Sequence, residues 1–117
     1  MAAQRYFLHV EDFSRARGTD PQMSFDGSSA PSFAAALLAA LRDPALISHW
    51  RAKQADPDAV DASVCALDAQ ATVRVTPADT GQGGDIEVAT SLPHAVLRHR
   101  MGLLVGPHWT LRDVKSA

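Results

Sequence analysis

The sequence predicts one α+β domain: an antiparallel sheet of four to five short strands with helices on one face, in the element order of the split βαβ plan. Three observations lead to it. A chain of 117 residues with 46% hydrophobic content holds one core, because a second would leave each half marginal. Period-two alternation marks segments at both ends and in the middle of the chain. Apolar stripes of helical period fall between them.

In order, Arg5 to Val10 sets Tyr6, Leu8 and Val10 on one face and Arg5, Phe7 and His9 on the other, as a first strand does. Residues 11–31 hold no apolar period and are punctuated by Gly18, Pro21, Gly27 and Pro31, which predicts a long irregular loop within the single domain 1–117. Ser32 serves as cap to a helix whose Phe33, Leu37 and Leu41 recur on one stripe, widened by Ala34 and Leu38. Asp43-Pro44 restarts the chain into a short helix carrying Leu46, Ile47 and Trp50. Ser63 to Leu67 reads as an additional short strand. Ala71 to Thr76 and Asp85 to Thr90 alternate, and Pro77 to Gly84 joins them as a hairpin loop. Pro93 to Val105 reads as a helix with Leu97, Met101, Leu104 and Val105 buried together, Arg98 and Arg100 reaching solvent, and a stop at Gly106-Pro107. His108 to Val114 closes the chain as a strand with Trp109 buried.

Composition narrows function by exclusion. A formal charge of -2 gives no global field toward phosphate or acidic membranes, so nucleic-acid contact has to be local. A single Cys65 has no partner for a disulfide, which fits a reducing, cytoplasmic setting. The start of the chain lacks an apolar signal core, and no run has the length of a membrane span. Abundant alanine and an excess of Arg over Lys suit a GC-rich bacterial genome. His94 and His99 lie about 140° apart around a helix and cannot share an ion, so no metal is expected. Asp56, Asp58 and Asp61 lack the glycine and the terminal Glu of a calcium loop. Gly81-Gln82-Gly83-Gly84 precedes a strand, not a helix, and reads as a flexible hairpin tip rather than a phosphate cradle. No serine stands in a nucleophile elbow, and no cofactor motif is present. An enzyme would need a site assembled in space from a His and a distant Ser, Asp or Glu.

The constellation with most chemical content is the open face of the predicted sheet: Arg5, Phe7, His9, Thr72, Arg74, Thr76, Thr110 and Arg112. An aromatic among hydroxyls and arginines suits a homo-oligomer interface or a single strand of RNA. Phe7, His9, Arg74 and Arg112 are the candidate contacts. Arg15 and Arg17, in a loop that also carries Phe13, Met23 and Phe25, are candidate flanking charges beside Arg98 and Arg100. Tyr6-Phe7-Leu8-His9-Val10 is loosely similar to the first strand of the RNA-recognition motif, although Asp85 to Ala89 lacks the aromatics that family stacks on bases. Leu103 to Leu111 resembles the second motif of Sm-like proteins. That resemblance implies an alternative fold, a small β-barrel with added helices and strand over 94–105, forming an oligomeric RNA-binding ring. The leading expectation is a non-catalytic binding or self-association module.

Overall fold

The computed structural model describes residues 3–79 and 82–116. The readings that involved Met1, Ala2 and Gly81 fall outside them. Four strands form one antiparallel sheet: β1 (Gln4–Val10), β2 (Thr72–Pro77), β3 (Gly84–Thr90) and β4 (Thr110–Ser116). Their spatial order is β2-β3-β1-β4, the order that the split βαβ plan produces. Helices α1 (Ala30–Arg42), α2 (Ala45–Ala52) and α3 (His94–Val105) complete the architecture. The shortest dimension of 19 Å matches one sheet layer plus one helix layer.

Strand alternation decides the layering. Tyr6, Leu8 and Val10 of β1 and Ile86 and Val88 of β3 are buried under α1 and α3, and the intervening side chains face away from the helices. The open antiparallel sheet and the helical 94–105 segment overturn the Sm-like barrel. Helical period wins there because Val96, Leu97, Met101, Leu104 and Val105 all bury on one side. Gly106 closes α3 at a φ of 58°, a conformation that suits glycine.

Three expectations needed correction. Helix α1 begins at Ala30, since Ser29 and not Ser32 is the cap: its hydroxyl accepts from the Ser32 amide. Residues 62–65 form a 3-10 turn rather than a fifth strand. Trp109 is only half-buried, because β4 is an edge strand that the helices leave largely uncovered.

The loop at 11–31 is part of the core. Phe13 stacks on Phe33 with centroids 5.3 Å apart, and Phe25 meets the same ring edge-on at 5.2 Å. The Phe25 amide donates to the Leu104 carbonyl at 2.8 Å. A Cβ at Gly18 would stand 2.3 Å from the Leu103 carbonyl oxygen, so only glycine permits this approach to α3.

The largest departure is Arg100, which is completely buried instead of reaching solvent. Its guanidinium donates to the carbonyls of Ala40, Val64 and Ala66 at 2.8, 2.8 and 2.6 Å. Ala40 belongs to the last turn of α1, whose carbonyls lack helical partners. Asp43 and Asp68 amides take the flanking carbonyls of Ala39 and Leu41. Arg100 therefore completes the C-terminus of α1 and fixes the turn at 62–66 in one contact. Arg98, two positions earlier, is exposed as expected.

Arg100→Met should leave three inward carbonyls without donors and cost about 3–5 kcal/mol in urea unfolding. Arg100→Lys should recover only part of this, because one ammonium cannot span two segments as the fork does.

The neighbouring His99 packs edge-on against Trp50 at 4.4 Å. Burial, and then the Arg100 charge, push its imidazole below its ordinary value near 6.5. The unfolded chain thus binds the proton more readily. The stabilisation is present above about pH 6.5 and is lost as pH falls through the lower folded value. The urea midpoint should drop between pH 7.5 and 5.5, and His99→Phe should show a smaller drop.

Candidate functional site

Pairing registers arrange the open face as cross-strand rows. One row runs Arg74, Glu87, Phe7, Asp113. On one side of it lie Thr76, Asp85, His9 and Thr110, and on the other Thr72, Ala89, Arg5 and Lys115. The β1–β4 register shifts between Phe7 and Leu8, which pair with Asp113 and Leu111, and Arg112 is left as the extra residue of a bulge. A concavity of about 600 Å3 opens at the centre, where Phe7 and His9 meet Arg74, Glu87 and Arg112.

All four principal candidates, Phe7, His9, Arg74 and Arg112, are thus brought together. The acids among them went unremarked in the sequence. Asp85 and Glu87 alternate with Ile86 and Val88, so their place on the open face was readable once β1 and β3 were paired. Asp113 and Lys115 were not readable, since the bulge reverses the alternation of β4 after Arg112.

Most of these charges neutralise one another. Asp85 takes a hydrogen bond from Nδ1 of His9 at 2.8 Å when that nitrogen carries the proton. Nε2 of His9 lies 3.2 Å from Glu11. Glu87 stands 3.7 Å from Arg5, and Asp113 3.9 Å from Lys115. The Lys115 ammonium also lies over the Phe7 ring, 5.5 Å from its centroid. Arg74 and Arg112, on the two edge strands, are exposed, and their side chains enter no ion pair or hydrogen bond among the described residues.

The His9–Asp85 pair supplies the two titratable groups that acid–base chemistry requires. Both ring nitrogens nevertheless face carboxylates, and no hydroxyl or thiol among the described residues hydrogen-bonds to the ring. A nucleophile-activating histidine holds one nitrogen toward its nucleophile. Here the ring bridges β3 and the segment after β1.

The two loop arginines do not join the site. Arg15 is a solvated charge, 86% exposed and 3.6 Å from Asp12. Arg17 donates to the carbonyls of Phe13, Ala16 and Gly27 and lies over the Phe25 ring, so it fastens the loop to itself. His94 stacks on Tyr6 and His99 packs edge-on against Trp50, on separate partners. Among the described residues no group of three or more His, Cys, Asp or Glu is placed to hold a metal ion. No single helix among them is long and apolar enough to cross a membrane.

None of the family models, curated proteins or solved structures compared with the chain matches it.

Arg17→Ala should cost about 1–3 kcal/mol in urea unfolding, through three carbonyls that lose their donor. Arg15→Ala should stay within about 0.5 kcal/mol, as an exposed ion pair does.

Proposed function

We propose that the protein is a non-catalytic recognition module, acting in the cytoplasm, whose open sheet face binds another polypeptide chain. The observation that supports this is the charge pairing on that face: Arg5 with Glu87, Lys115 with Asp113 and the His9–Asp85 hydrogen bond surround a concave centre lined by Phe7. Such a surface is nearly neutral overall, with local polar groups that fix orientation, as polypeptide interfaces require. Both ring nitrogens of His9 are engaged by carboxylates rather than held toward a hydroxyl, which supports a binding role over an enzymatic one. A second copy of the chain is one such partner.

Single-stranded RNA is the second reading, favoured by Phe7 between Arg74 and Arg112. Against it, Asp85, Glu87 and Asp113 occupy the floor over which a continuous phosphate backbone would run.

Titration with fluorescent poly-U at low salt should give no saturable binding at about 100 µM, a concentration at which even non-specific phosphate contacts register. Saturable binding that Arg112→Ala weakens overturns the polypeptide reading. Light scattering at micromolar concentration identifies a second copy as the partner if it shows a dimer or larger species that Phe7→Glu returns to monomer. A monomer throughout excludes a second copy as the partner.

A further inference from the structure

We infer that the partner taken by the open face is an extended acidic peptide of a foreign protein, with carboxylates four residues apart on either side of an apolar residue. This rests on the polypeptide reading above and specifies its ligand.

The argument starts from the two charges left over. Arg5 and Lys115, the other Lys and Arg side chains of the face, each have a carboxylate within 4 Å, so the positive field that a ligand meets comes mainly from Arg74 and Arg112. Both line the concavity, one from each edge strand. They are separated by the row Arg74, Glu87, Phe7, Asp113, so three interstrand gaps of about 4.8 Å put them roughly 14 Å apart. Exposed, unpaired guanidinium forks match carboxylates in a two-point geometry.

An extended chain laid across the strands has its own period. It advances about 3.3 Å per residue, so side chains i and i+4 point the same way about 13 Å apart. That spacing fits the two arginines. Residue i+2 then falls above the centre of the row, where Phe7 offers a ring that it shares with the Lys115 ammonium and Glu87 a negative charge already engaged by Arg5. An apolar or aromatic side chain suits that position, and a third carboxylate is repelled from it.

The same spacing excludes a second copy as the donor of the strand. No two of this chain's thirteen Asp and Glu residues stand four positions apart. A foreign chain supplies the pattern.

The test is fluorescence anisotropy at low salt with the intact protein and a fluorescein-labelled peptide of serine and glycine carrying two glutamates at i and i+4 around a central phenylalanine. Saturable binding is expected. It should weaken about tenfold or more with Arg74→Glu and with Arg112→Glu. Both positions are exposed and unpaired, so the variants keep the fold, which circular dichroism checks. Arg98→Glu, the same charge change on an exposed α3 position, should leave binding unchanged. Equal binding of a peptide with lysines in place of the glutamates, or an equal loss in Arg98→Glu, overturns the proposal. Amide chemical shifts separate its failure from that of the broader reading. If the peptide leaves β1 and β3 amides unmoved while concentrating the protein itself shifts them, the acidic ligand is wrong and polypeptide recognition stands. If neither moves them, both fall.

Discussion

A guanidinium sealed in the interior with no carboxylate beside it constrains the rest of this domain. Arg100 can be buried only where main-chain oxygens replace its water, and here three carbonyls from two separate segments do so. The last turn of α1 therefore has to end where it does, and the 62–66 turn has to fold beneath α3. That turn leads through Asp68, which is bonded to Thr90 and Ser91, back to the end of β3. Helix layer and sheet are thus tied by polar contacts as well as by the apolar stripe of α3.

The opposite side of the sheet follows another rule. With no layer above it, the charges that find partners do so laterally, across strands as in Arg5–Glu87 or along one strand as in Lys115–Asp113, rather than by burial. Pairing engages Glu87 and Asp113 and leaves one arginine on each edge strand, Arg74 and Arg112, without a carboxylate partner among the described residues. The local charge is therefore positive at the margins and balanced at the centre, although the chain as a whole is slightly acidic. A net charge taken over the whole sequence says little about such a face.

How much could be read in advance varied with the range of the interactions that decide each element. Strands β1, β2 and β3 and the helices announced themselves by local periodicity, and the sheet order followed from their sequence. The composition of the open face followed in part: Phe7, His9, Arg74 and Arg112 did gather at one concavity. What failed depended on partners far away in sequence. Arg100 looks like a surface residue until the carbonyls of residues 40, 64 and 66 are placed around it. Arg17 looks like a free charge until Gly27 folds back to meet it. The loop at 11–31 has no period because its aromatic residues are spent on one phenylalanine of α1 rather than on a repeating face.

The bulge in β4 has a consequence at the level of inheritance. On either side of Arg112 the partners are already in step: Leu111 opposite Leu8, Asp113 opposite Phe7, Val114 opposite Tyr6. Loss of that one codon would leave a regular strand in which every remaining side chain keeps its face. Insertions and deletions in strands ordinarily turn a core inside out. At this position a single in-frame deletion would edit the surface and leave the core untouched, so lineages can lengthen or shorten β4 here without refolding the domain.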